Sequence, residues 1–143
     1  MSSPCIGKIR AGDVTPNRAR GGEVRVLLSP RTAQASSGFL GTLTLDPGES
    51  TREHYHPYSE EFLYLVSGSV LLHLENQSER LEPGDAVLVP KYHRHRLVNN
   101  GAEAASVVFC CSPLAPKPEL GHVDTDGGEN SGAGAAAARE TTR

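Results

Sequence analysis

Short apolar or alternating runs, separated by turn-forming residues, dominate the hydrophobic pattern of the chain. Glu23–Leu28, Phe39–Leu45, Phe62–Val66, Val70–Leu74, Ala86–Val89 and Ser106–Cys110 have the length and alternation of strands. Between them stand Ser29-Pro30, Asp46-Pro47-Gly48, Ser67-Gly68, Glu82-Pro83-Gly84-Asp85 and Asn99-Asn100-Gly101. Each of these favours a turn through positive φ, fixed φ or local side-chain bonding. No stretch carries the periodicity of a long amphipathic helix. The pattern predicts an all-β fold, an antiparallel sandwich or single barrel, with no internal repeat.

The same pattern divides the chain. Residues 1–22 are polar and interrupted by Gly12, Pro16, Gly21 and Gly22, which predicts an N-terminal arm. Residues 23–111 hold nearly all the strand signal and form the expected barrel. Over 112–126, Pro113, Pro116 and Pro118 favour an extended C-terminal arm. Residues 127–143 are low in complexity and poor in large apolar side chains, so disorder is expected there.

Composition narrows the functional classes. At 143 residues the chain suits one domain, and 37% hydrophobic with 22% charged residues is ordinary for a soluble globular protein. A net charge of -3 without a basic block argues against nucleic-acid binding. No apolar run approaches the ~18 residues of a membrane span. The first residues lack the apolar core of a signal peptide, so a cytoplasmic location is expected. Cys5 stands alone and Cys110 adjoins Cys111, which does not make a disulfide framework.

Chemistry concentrates at His54-Tyr55-His56. Two histidines one residue apart on a strand share a face, so both imidazoles can reach one metal ion. Glu60 and Glu61 follow at the start of a strand, and one of them must face the same interior. His95 arrives after Pro90 at the mouth of another strand. Three imidazoles and a carboxylate suit zinc, iron, manganese, nickel or copper. Other histidines are weighed against this set. A hairpin tip at Ser67-Gly68-Ser69 would turn His73 inward as a fourth imidazole or catalytic base; a tip shorter by one residue would turn it outward. His93, two before His95, could reach the site if its segment is extended and otherwise reads as a turn residue; His122 reads as a packing or hydrogen-bonding residue of the arm. Phe39, Leu43 and Leu63 alternate correctly to line a pocket, although ordinary core is the plainer role for most such residues.

Gly48-x5-His54-x-His56-x4-Glu61-x6-Gly68 matches the first signature of the cupin superfamily at every fixed position. Gly84-x5-Pro90-x-Tyr92-x2-His95-x3-Asn99 matches the second, except that Tyr92 stands where that superfamily usually has glycine. The resemblance implies a cupin, a double-stranded β-helix or jelly-roll barrel, with His54, His56, Glu61 and His95 around one divalent metal. It selects Glu61 over Glu60. A tyrosine resists positive φ, so Tyr92 either changes the turn before His95 or places its ring at the pocket mouth.

A narrower resemblance covers about residues 17–125. His-Tyr-His-Pro-Tyr-Ser-Glu-Glu-Phe-Leu-Tyr (54–64) and Pro-Leu-Ala-Pro-Lys-Pro-Glu-Leu-Gly-His-Val-Asp-Thr (113–125) resemble the small cupins of bacterial aromatic polyketide pathways, including the tetracenomycin-type and resistomycin-type cyclases. It implies a metal-dependent cyclase acting on a poly-β-ketone, free or carried on a carrier protein. Zinc is the favoured ion, because aldol-type closure needs a Lewis acid and no redox change. Two other classes share the ligand set: an oxygenase using Fe(II) and O₂, and a cupin that only binds a small ligand. A homodimer is expected, with the arms lying across a neighbouring barrel and outward Phe62, Tyr64 and Val66 needing cover.

Overall fold

The computed structural model describes residues 3–125. The tail expectation for 127–143 therefore falls outside the described residues. Ten strands are named: β1 (Glu23–Leu28), β2 (Phe39–Leu45), β3 (His54–Tyr55), β4 (Glu60–Ser67), β5 (Val70–Leu74), β6 (Gln77–Leu81), β7 (Ala86–Val89), β8 (His95–Val98), β9 (Ala105–Ser112) and β10 (Val123–Asp124). One helical turn, α1 (Pro30–Ala33), follows β1 and is closed by a capping box between Ser29 and Thr32. No described helix is long and apolar enough to cross a membrane.

The strands form two antiparallel five-stranded sheets, ordered β1-β2-β9-β4-β7 and β10-β3-β8-β5-β6. Alternation sets the faces. On β4, Glu61, Leu63 and Leu65 point inward while Phe62, Tyr64 and Val66 point out. On β9, Ala105, Val107, Phe109 and Cys111 point inward. Together with Leu43, Leu45, Val70, Leu72, Leu81, Val89 and Leu97 they make one core between the sheets. Leu45, Leu65, Val70 and Val107 are completely excluded from solvent. Each fully buried aliphatic side chain stabilises the fold by about 1.5–3 kcal/mol.

The link between β4 and β5 corrects one sequence expectation. These strands do not pair as a hairpin; β4 lies between β9 and β7, and β5 between β8 and β6. Gly68, at φ +81°, hands the chain from one sheet to the other, and a Cβ there would come within 2.6 Å of the Ala104 carbonyl oxygen. In the resulting register Leu72 and Leu74 sit opposite Leu97 and His95, so His73 faces outward. Its Nδ1 lies 2.8 Å from the Ser78 hydroxyl, away from the site.

Asn99 explains a fixed position of the second signature. It is fully buried, donates from Nδ2 to the Leu45 and Glu103 carbonyls and accepts from the Gly101 amide. Its backbone exchanges bonds with Gly48 and Glu49. The first and second signatures are thereby tied together beside the core, with both the amide nitrogen and the amide oxygen of Asn99 partnered.

The C-terminal arm also departs from expectation. It is not wholly extended: Pro118–Leu120 makes a 3-10 turn, after which β10 pairs with β3 of the same chain. The Ser59 hydroxyl holds the start of the arm through the Pro113 carbonyl. The arm thus lies on its own barrel.

Candidate metal centre

His54 and His56 leave the β3 region, Glu61 begins the inward face of β4, and His95 opens β8. The structure brings these residues together, with one ligand atom from each lying within 4.8 Å of all the others. All four are buried, from His95 at 2% exposed to His54 at 9%. His54 and His95 face each other directly across the β3–β8 ladder.

Hydrogen bonding fixes which ring nitrogens face the centre. His54 Nδ1 lies 2.7 Å from the Arg52 carbonyl, His56 Nδ1 2.8 Å from the Gly121 carbonyl and His95 Nδ1 3.0 Å from the His93 carbonyl. A carbonyl only accepts, so each Nδ1 carries the proton and each Nε2 presents a lone pair in the neutral ring. That is how a protein orients imidazoles as ligands. The consequence inside the cluster is specific. His95 Nε2 is 3.0 Å from Glu61 Oε1, which in a neutral His95 of this tautomer would set two lone pairs against one another. His56 Nε2 lies 3.8 Å from the same oxygen, beyond hydrogen-bond reach, and is buried without a partner. A cation among these atoms satisfies both. The residues fit a divalent metal.

The charges agree with this. Burial pushes His54 well below the usual imidazole pKa, with neighbouring His95, His122 and His56 adding to the effect. Burial opposes a charge on His56 too, but the Glu61 carboxylate outweighs it and raises the pKa. Burial would likewise raise Glu61, yet His56 and His95 hold it well below the carboxylate range. Glu61 is therefore a carboxylate, the anion of the set, and a divalent ion would take the place of the proton that the carboxylate favours on His56.

Two further side chains adjoin the cluster. His122 stacks on His54 with centroids 4.2 Å apart and planes 9° apart, and its Nε2 is 2.8 Å from Asp124 Oδ1. This is the packing and hydrogen-bonding role expected of it in the arm. Cys111 packs inward near the end of β9, with its thiol 3.5 Å from Glu61 Oε2. Burial first, then Glu61, pushes that thiol far above its usual pKa, so it is a neutral donor.

The pocket candidates divide. Leu43 and Leu63 are packed into the core. Phe39 stands edge-on to Phe109 and borders a shallow apolar crevice with Leu28, Leu40 and Cys110. Tyr92 keeps the turn of the second signature by adopting φ +69°, and its amide donates to the His56 carbonyl at 3.0 Å. Its ring lies 6.4 Å from that of Tyr55. His93 is outside the cluster, its Nδ1 3.9 Å from Glu75.

A two-sheet β-barrel with a buried three-histidine, one-carboxylate cluster defines a class, and the chain belongs to the cupin domain family, matched over residues 41–111. It is 50% identical over 119 residues to the tetracenomycin polyketide synthase protein TcmJ of Streptomyces glaucescens, spanning 83% of this chain and 80% of that one. It is also 50% identical over 114 residues to the polyketide synthase CurC of Streptomyces cyaneus, spanning 80% and 74%. Among solved structures, the polyketide cyclase RemF from Streptomyces resistomycificus matches with a TM-score of 0.71 over 89% of this chain and 90% of that one. At 20% identity this last likeness concerns the fold.

Proposed function

We propose that this cupin is a metal-dependent polyketide cyclase, closing rings on a poly-β-ketone intermediate of an aromatic polyketide pathway. The observation that carries the reading is the buried cluster of His54, His56, Glu61 and His95, with all three Nδ1 protons committed to backbone carbonyls. Half-identity to two proteins named for polyketide synthases supports the substrate class in this reading.

Those four residues would hold one divalent ion, zinc in this proposal, and the ion supplies Lewis acidity toward carbonyl oxygens. The chain does the rest by placement. Burial of the cluster excludes water and strengthens every charge interaction within it. Glu61 stays ionised and offsets the cationic charge. Held substrate carbonyls and their acidic α-carbons are brought within reach of one another, and the enclosure selects which pair joins. The closure is redox-neutral: a C–C bond forms as the α-proton passes to the carbonyl oxygen, so no electron acceptor is needed.

The outward apolar side chains of β4 and β7 suit a second copy of the chain. Phe62, Tyr64, Val66 and Leu88 are each about half exposed on one sheet face, and a homodimer covering them is part of this proposal.

The deciding experiment supplies zinc-loaded protein with the polyketide-forming enzymes under strict anaerobiosis. Correctly cyclised product is the expected result. Product formed only with iron and O₂, with oxygen consumed in step, would replace the cyclase by an oxygenase.

A further inference from the structure

The C-terminal arm makes contact with the metal cluster at two points. Gly121 accepts the Nδ1 proton of His56 at 2.8 Å, and His122 lies flat on His54 and edge-on to His56. Beyond His122, Val123 and Asp124 pair with Tyr55 and His54, and the Thr125 amide and hydroxyl both bond Glu53 at 2.9 and 2.8 Å. Asp124 takes the Nε2 proton of His122 and sets the plane of that ring. A sequence separation of 65 residues therefore closes on one imidazole of the proposed centre.

We infer that Gly121 and His122 are positioning residues of the metal centre, so that docking of segment 121–125 and binding of the metal are thermodynamically coupled. The inference rests on the metal reading above. The physical reason is that His56 and His54 each have one freedom that β3 does not remove, rotation of the ring. The Gly121 carbonyl fixes the tautomer and rotation of His56. The His122 face fixes the plane of His54 by stacking. With the arm lifted, the His56 ring loses the acceptor that orients it, and the His54 ring, still bonded to the Arg52 carbonyl, loses its stacked support, so the convergence of the Nε2 lone pairs is weakened. Loss of such an outer partner costs on the order of 10–100-fold in metal affinity. Linkage then requires the metal to favour the docked arm by the same factor.

The experiment uses the full chain and three variants, with zinc affinity read by chelator competition and ligand geometry read from the visible spectrum of the cobalt(II) form. His122→Ala removes the stacked ring, and His122→Phe keeps a flat ring. Thr125→Pro removes the amide donor that anchors the arm while touching no residue of the cluster. His122→Ala and Thr125→Pro should each weaken zinc about 10–100-fold and alter the cobalt spectrum, with His122→Phe recovering most of the loss. Hydrogen exchange on the unmodified chain is the companion measurement, because it depends on no variant folding. The amides of residues 121–125 should exchange more slowly with zinc than without it. Variants that bind zinc like the parent, or arm amides indifferent to zinc, would overturn the coupling and leave the metal centre standing. A parent chain that binds no zinc would overturn both.

Discussion

Cys111 and Glu61 are opposite one another on adjacent strands, and the thiol of one meets the carboxylate of the other inside the barrel at 3.5 Å. Glu61 Oε2 is thereby occupied, and Oε1 is the oxygen turned toward His95 and His56. Cys111→Ala should leave a buried carboxylate oxygen without its donor, which costs about 1 kcal/mol, or roughly fivefold in metal affinity. Cys111→Ser, which keeps a donor, should restore it. Equal affinities in parent and alanine variant would show that the contact is incidental.

Removing a ligand should have a larger effect. His54→Ala or His95→Ala takes one imidazole from a set of four residues, and a poorly held ion is lost on dialysis. Metal analysis of the dialysed variants is the check. Full occupancy in both would reject the assignment of the centre.

Acid should destabilise the metal-free protein. Burial, aided by Arg20, lowers His122 to about 3, and His54 lies well below the imidazole range. In the unfolded chain both titrate near ~6.5. Below that value the unfolded state binds more protons, so stability falls with pH; His122 alone accounts for about 2 kcal/mol at pH ~5. Glu61, with its depressed pKa, adds a loss below ~4.5. His56 works the other way, since its raised pKa favours the fold below ~6.5 and that contribution fades at higher pH. Denaturant midpoints of parent and His122→Phe across this range provide the measurement. The variant should show the flatter profile; identical profiles would remove His122 from the account.

The exposed face of β4 and β7 predicts self-association. Light scattering should give a dimer for the parent chain. Phe62→Ser combined with Leu88→Ser, both on exposed positions, should give a monomer with an unchanged melting temperature. A monomeric parent at micromolar concentration would dismiss the dimer.

Leu65 is fully excluded from solvent at the middle of β4. Leu65→Ala should cost about 2–5 kcal/mol by the lost transfer and the cavity left behind. Chemical denaturation would show it as a lower midpoint.

Much of this was legible in the residues. β1, β2, β5 and β7 coincide with their apolar runs because inward alternation and turn chemistry agree there. β6 was not legible: Gln77, Ser78, Glu79 and Arg80 are polar and exposed, and only Leu81 is buried. β3 and β10 are two residues each, too short to carry a period. His73 turned on register, which depends on Gly68 changing sheets and not on anything within β5. The histidine set was legible as spacing, while Glu61 was chosen over Glu60 only through the cupin resemblance. That His122 and Cys111 touch the cluster was not, because their partners lie 68 and 50 residues away in sequence and meet them only in the folded chain.

The centre takes its imidazoles from the β3–β8 side and its carboxylate from β4, which belong to different sheets. A metal held there is a rivet through both layers. Its ligand distances are a gauge of how far apart the layers stand, a spacing maintained by side chains such as Leu63 and Leu97 that touch no ion. Selection for metal affinity therefore acts on the core as well as on the ligands. A repacked interior could retune the chemistry while leaving every histidine in place.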